Sequence, residues 1–150
     1  MFSKILFPIS GEILSKEDMA IAIDLAKKYN GTIHLLTVSE IYLGGLTDLT
    51  LPDEILKQHK QLIEDYLKKY AKIFQEENID VEIHIREGLP YREIVDFAEE
   101  LKVGLIIIPT HGRKGLPAFI LGSVAQKVVK FAKCPVLTFI PKFVKEYINE

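Results

Sequence analysis

The chain has 150 residues, 48% apolar and 27% charged, which suits one domain with a real core and is too short for two. Its 19 basic and 21 acidic residues leave a formal net charge of −2, so no broad field draws it to nucleic acid or an acidic membrane, and any polyanion has to be gripped locally. No apolar run approaches the ~20 residues that cross a bilayer, and the sole cysteine, Cys134, excludes an internal disulfide. Met1 leads straight into Lys4-Ile5-Leu6-Phe7 without a signal-peptide layout, so a cytoplasmic location is expected.

In chain order, Ile5-Leu6-Phe7 is a short apolar run ended by Pro8 and predicts the first strand. Ser15 is placed to cap a helix through Tyr29, with Met19, Ala22, Ile23 and Ala26 on one face and Asn30-Gly31 as the stop. Residues 32–38 predict a second strand. Residues 39–52, with Gly44-Gly45, form the one long connection, either a flap over a site or a passive surface loop. Residues 53–77 predict the longest helix, with Ile55, Leu56, His59, Leu62, Ile63, Tyr66, Leu67, Tyr70, Ile73 and Phe74 in one stripe. Val81-Glu82-Ile83-His84-Ile85 alternates, as an edge strand does. Pro90 opens a helix carrying Ile94, Val95, Phe97, Ala98 and Leu101. Residues 103–108 are apolar almost throughout, as a strand covered on both faces must be. Gly122-Ser123 opens a helix carrying Val124, Val128 and Val129, residues 136–140 predict a fifth apolar strand, and Phe143, Val144, Tyr147 and Ile148 predict a short terminal helix.

Strands alternating with crossover helices imply a parallel sheet with right-handed connections, hence a doubly wound α/β sandwich. Ligands of such sheets bind beyond the carboxyl ends of the strands, where strand order reverses. The richest segment there is Pro109-Thr110-His111-Gly112-Arg113-Lys114-Gly115, followed six residues later by Gly122-Ser123 at a helix start. Phosphate suits this layout. Glycine admits close backbone approach, a helix N-terminus offers unpaired N–H groups, Ser123 adds a hydroxyl, and Arg113 with Lys114 adds charge. The same residues also read as an ordinary N-cap, turn glycines and a solvated basic loop. Neither GxxxxGK[ST] nor a GxGxxG after the first strand is present. Gly112-Arg113-Lys114-Gly115 matches the GxxG of RNA-binding KH domains, but that loop joins two helices, so nucleic acid is not expected as a partner.

The whole chain resembles the universal stress protein family, through Lys4-Ile5-Leu6-Phe7-Pro8, through Ile108-Pro109-Thr110-His111-Gly112-Arg113-Lys114-Gly115 with Leu121-Gly122-Ser123-Val124-Ala125, and through Cys134-Pro135-Val136. The resemblance implies a three-layer sandwich around a five-stranded parallel sheet in order 3-2-1-4-5, the adenine nucleotide alpha hydrolase-like arrangement. It also implies a homodimer through the last strand, by Val136, Leu137, Thr138 and Phe139, and in one subgroup a site for ATP or another adenine nucleotide, with Mg2+ accompanying ATP. Pro8, Ile9, Ser10 and Val38 would border adenine and ribose, and Pro109, Gly112, Arg113, Gly122, Ser123 and Val124 would surround the phosphates. Two positions depart from the pattern. Pro109 replaces the first glycine of the phosphate motif, which removes an N–H, and Ser10 stands where the family carries an aspartate.

The expected function is a nucleotide-binding stress-response or signalling module without efficient catalysis, acting on an unidentified protein partner. The alternative is a ligand-free dimeric interaction module. Ser10 and His111 invite a nucleophile and base reading, but no GxSxG elbow is present and no carboxylate is placed to orient His111, so no catalytic residue is assigned. A phosphoacceptor receiver needs acids after strands one and three, where this chain has Ile9-Ser10 and Arg86-Glu87-Gly88. His34, His59 and His84 lack ligand spacing, so no metal is expected, and Cys134 before Pro135 is read as packed rather than reactive.

Overall fold

The structure is a computed structural model that describes residues 1–40, 51–110 and 122–142. Five apolar runs of β-branched and leucine-rich sequence become strands β1 (Lys4–Pro8), β2 (Thr32–Ser39), β3 (Val81–Glu87), β4 (Leu105–Pro109) and β5 (Val136–Phe139). Four helices of 3.6-residue periodicity join them: α1 (Ala20–Tyr29), α2 (Asp53–Glu76), α3 (Pro90–Leu101) and α4 (Ser123–Phe131). All neighbouring strands are parallel, in the order β3-β2-β1-β4-β5. The alternating strand β3 lies at one edge as its pattern requires, and β5 forms the other.

Side chains of a strand alternate between the two faces of the sheet, and here they divide into two cores. Ile5, Phe7, Ile33, Leu35 and Ile107 pack beneath α1 and α2 with Leu67, Tyr70 and Phe74. Leu6, Leu36, Ile106 and Ile108 pack beneath α3 and α4 with Phe97, Ala98, Ala125 and Val128. The sheet is thus the middle of three layers.

Three expectations are corrected. Helix α1 opens at Ala20, not after Ser15, because the turn before it is held by bonds three residues apart, from Asp18 N–H to the Ser15 carbonyl and from Met19 N–H to the Lys16 carbonyl. Ser15 still makes a reciprocal cap there, its hydroxyl accepting from Asp18 N–H while the Asp18 carboxylate accepts from Ser15 N–H. The apolar stripe of α2 is fully buried only in its second half; Leu67, Tyr70 and Phe74 are buried and Ile63 packs half-buried against the core, whereas Ile55 and Leu62 are 46% and 69% exposed. The 24 residues of α2 span about 36 Å at ~1.5 Å each, and the 8 residues of β2 span about 26 Å at ~3.3 Å each. The helix therefore overshoots the sheet. In α4, Ala125 and Val128 face the core and Val129 faces outward. The expected terminal helix falls outside the described residues.

The sheet opens at its centre. Strands β2 and β3 stay in register from Ile33 with Val81 to Ser39 with Glu87, while β1 and β4 pair only Ile5 with Leu105 and Leu6 with Ile106. Beyond Leu6 and Ile106 the two strands part, and α1 and α2 lie on the opposite face from α3 and α4. This is the topological switch point of the sheet.

Candidate functional site

Each wall of the crevice at the switch point is fixed by backbone bonds. On the β1 side, Ile9 N–H donates to the Leu36 carbonyl at 2.9 Å and the Ile9 carbonyl accepts from Thr37 Oγ1 at 2.8 Å, tying the end of β1 to β2. Ile9 and Val38 are buried, and Ser10 is exposed at the mouth. On the β4 side, the Phe139 carbonyl accepts from Thr110 N–H at 2.8 Å and from Thr110 Oγ1 at 3.1 Å. Ile106 N–H and Thr110 N–H both point toward β5, donating to Pro135 and Phe139. Bonding direction alternates along a parallel strand, so the nitrogen of Pro109, one residue before Thr110, faces β1. The donor that proline removes belongs to the crevice wall, not to the β4–β5 ladder.

Ala125 and Val128 seat helix α4 on the core, and a backbone bond fastens its N-terminus at the same crevice. Gly122 N–H donates to the Thr110 carbonyl at 3.0 Å, which holds the start of α4 against the end of β4. A Cβ on Gly122 would stand 2.4 Å from that carbonyl oxygen, so only glycine permits the approach. Gly122 is the N-cap of α4 and has no side chain, Ser123 is its first helical residue, and among the described residues no side chain caps the helix. The ordinary N-cap reading of Ser123 is thereby corrected: the first-turn N–H groups receive no hydroxyl from it. Gly112, Arg113 and His111 lie outside the described residues, as does most of the 39–52 connection.

One acidic group at this end of the sheet is not anticipated by sequence. The loop after β1 doubles back so that the Glu12 carboxylate accepts from Ser10 N–H, and the Glu12 carbonyl accepts from the hydroxyls of Tyr66 at 2.8 Å and Tyr70 at 3.1 Å. Tyr70 in turn accepts from Leu14 N–H at 3.0 Å. Burial pushes the Glu12 carboxyl above the usual carboxylate range, and burial with the adjacent Glu12 carboxylate pushes the Tyr66 phenol up.

Two further features lie away from the switch point. A cleft of about 500 Å³ opens at the carboxyl ends of β2 and β3 beneath α2, lined by Ser39, Asp53, Lys57, His59, Lys60 and Glu87, with Ser39 Oγ 3.1 Å from His59 Nε2. On the other face, His34 and His84, fifty residues apart in sequence, meet at 3.0 Å across β2 and β3. Their sequence separation says nothing of their distance once the strands pair. Cys134 is half-buried and burial raises its thiol, as suits a packed cysteine. Among the described residues, no helix is long and apolar enough to cross a membrane.

The edge strand β5 divides its side chains between the two cores. Leu137 and Phe139 pack with the α1 and α2 side, where the Phe139 ring stacks on Phe7 at 6.0 Å, and Val136 packs with the α3 and α4 side.

This architecture has known counterparts. Residues 1–139 match the family model described as the universal stress protein family. The chain is 36% identical over 141 residues to universal stress protein MJ0531 of Methanocaldococcus jannaschii, covering 91% of this chain and 81% of that protein. Among solved structures it resembles hypothetical protein MJ0577, with a TM-score of 0.80 at 25% identity over 95% of this chain and 98% of the other. It shares the fold of the universal stress protein from Archaeoglobus fulgidus in complex with dAMP, with a TM-score of 0.67 at 20% identity over 92% of this chain and 98% of the other. Fold, strand order and sequence agree: the chain belongs to the universal stress protein family.

Proposed function

We propose that this protein binds an adenine nucleotide in the crevice between β1 and β4 and reports its presence to a partner protein, without efficient catalysis. The observation that carries the reading is the α4 N-terminus. Gly122 fastens it to Thr110 at the switch point, and among the described residues its first turn has no side-chain cap. Unpaired N–H groups at a helix start favour an anion, and Arg113 with Lys114 precedes it closely in sequence. A nucleotide complex in a protein of the same fold supports the choice of ligand.

In this reading Pro8, Ile9, Ser10 and Val38 border the base and ribose, with the Glu12 carboxylate supplying the acid that Ser10 lacks. Gly112, Arg113, Gly122, Ser123 and Val124 surround the phosphates, with Mg2+ if the ligand is ATP, and Pro109 leaves that wall one donor short. Two copies pair through the β5 edge, and because Leu137 and Phe139 also serve the core, Thr138→Lys is the cleaner disruption. Light scattering is expected to show a dimer that this change weakens; a monomer at high micromolar concentration overturns the pairing.

The test is a titration of ATP, ADP and AMP into nucleotide-stripped protein beside a Ser123→Pro variant. Proline is favoured at the first helical position, and Gly122 at φ −58° and ψ 152° already has the extended conformation that a residue before proline requires. The variant keeps α4 while deleting the Ser123 N–H and hydroxyl. Binding that falls about tenfold or more, with the loss of a charge-assisted hydrogen bond, supports the site. A folded dimer indifferent to millimolar nucleotide supports the ligand-free interaction module, the reading that the missing Pro109 donor favours.

A further inference from the structure

The second cluster of interest is on the opposite side of the sheet from Glu12 and one strand away from the crevice. Parallel pairing sets His34 beside Glu82 and Leu36 beside His84, so His34 and His84 lie two positions apart on one face, toward α3. His34 Nδ1 is 3.0 Å from His84 Nε2 and 3.1 Å from Glu82 Oε2, and the three ligand atoms all fall within 4.8 Å of one another. The imidazole of His34 is 4% exposed, whereas Glu82 is 61% exposed and opens the cluster to solvent.

A neutral His34 carrying its proton on Nδ1 presents that N–H to two acceptors at once, the Glu82 carboxylate and the lone pair of His84 Nε2. Two acceptors converging on one shared proton also suit a cation. In a tetrahedral site with metal–nitrogen bonds of ~2.0–2.1 Å, donor atoms stand about 3.3 Å apart, a few tenths of an ångström beyond the two distances seen here. Accepting a metal requires the His34 proton to move to Nε2, a change of tautomer with no net loss of protons. The surroundings hold both rings in place. His84 packs on Phe97 with ring centroids at 4.7 Å, and the two imidazoles stack at 5.3 Å.

Two cations stand nearby, and neither cancels the site. The Arg86 guanidinium is bound by Glu93 at 3.0 Å and by Glu100 at 2.8 Å, which neutralise it. Lys4 directs its ammonium to the Leu101 carbonyl at 3.1 Å. Burial lowers both imidazoles and so keeps them neutral, the form that ligates.

The geometry points to a divalent transition-metal site, of zinc type, formed by His34 Nδ1, His84 Nε2 and the Glu82 carboxylate on the α3 face of the β2–β3 edge. Two imidazoles and a carboxylate are the ligand set that leaves a fourth tetrahedral position open to water, here on the solvent side with Glu82. The site is independent of the nucleotide crevice, and metal bound there ties edge strand β3 to β2.

The test uses untagged, chelator-stripped full-length chain without nucleotide. ZnCl2 is titrated in competition with a chromogenic chelator, and Co2+ is followed by visible absorption. One equivalent is expected, with Co2+ bands of tetrahedral intensity. His84→Gln is expected to abolish binding, Glu82→Gln to weaken it about tenfold or more, and nucleotide affinity to stay unchanged in both. In the unmutated chain, long-range ¹H–¹⁵N spectra of the imidazoles are expected to show Zn2+ moving His34 and His84 but not His59, which decides the matter even if His84→Gln fails to fold. The proposal is overturned if Zn2+ does not bind, if the double variant Glu82→Gln, His84→Gln binds undiminished, or if His59 is the imidazole that shifts.

Discussion

Two pairs of parallel strands in this molecule end differently. Strands β2 and β3 remain paired as far as Ser39 and Glu87, whereas β1 and β4 separate after Leu6 and Ile106. Where the ladder persists, backbone groups are consumed by the partner strand, and what is left to do chemistry is side chains set two apart on one face, as His34 and His84 are. Where the strands part, backbone is left without a neighbouring strand, and the proposed nucleotide site draws on main chain, the first turn of α4 that Gly122 fastens to the Thr110 carbonyl. The two proposed sites, one of side chains and one of main chain, thus follow from one sheet topology and are expected to answer to different substitutions.

The largest expected effect lies under the open pair. Phe7, on β1, is fully buried and touches the rings of Phe74 and Phe139, so the parted strands rest on packing where they lack a ladder. Phe7→Ala is expected to cost about 3–5 kcal/mol in urea denaturation; a cost no greater than that of a surface substitution would mean that packing does not hold the crevice. Next comes Tyr70→Phe, which strips the acceptor from buried Leu14 N–H and is expected to cost about 1–3 kcal/mol. An unchanged urea midpoint would show that the loop after β1 is held by something other than α2.

Glu12 gives a smaller, pH-dependent effect. Its folded pKa is raised above the unfolded value of 4.5 by burial, so the fold binds the proton more tightly than the unfolded chain does. That contribution is fully present below 4.5 and is lost as pH rises through the raised folded value. Glu12→Gln, always neutral, is expected to gain stability relative to the parent between pH 4 and pH 7, measured as the difference in urea midpoints. Equal differences at both pH values would contradict the assigned cause. The smallest effect is expected away from both regions: Lys133 and Glu99 form an exposed pair at 2.9 Å, and Lys133→Ala is expected to change stability by about 0.5 kcal/mol or less. A larger loss would mean that the α3–α4 surface is coupled to one of the sites.

Periodicity in the sequence located the nine elements of the described residues, because a buried parallel strand and an amphipathic helix each leave a pattern that local composition records. Strand order came from the family resemblance, which the paired strands bear out. What local pattern does not record is where an element overshoots or which distant group it meets. The stripe of α2 gives no sign that Ile55 and Leu62 stay exposed while Ile63 packs on the core. Glu12 is an unremarked acid in a loop until Tyr66 and Tyr70, more than fifty positions later, fold that loop back. His34 and His84 share no spacing, yet each stands near the same height on strands that the order 3-2-1-4-5 makes neighbours; that order was the available signal. Of the glycines read as a phosphate motif, Gly122 lies in the described residues, and there it serves a close approach to Thr110, a contact that glycine spacing alone does not specify.

The most direct test of the nucleotide site is an amide ¹H–¹⁵N spectrum of the stripped protein recorded with and without AMP and ATP. The account predicts shifts centred on Ser10, Thr110, Ser123, Val124 and Ala125, with larger movement in the first turn of α4 for ATP than for AMP, and none at His34 or His84. No shifts at millimolar nucleotide, or shifts centred instead on Ser39, Lys57 and Lys60 in the cleft beneath α2, would contradict it.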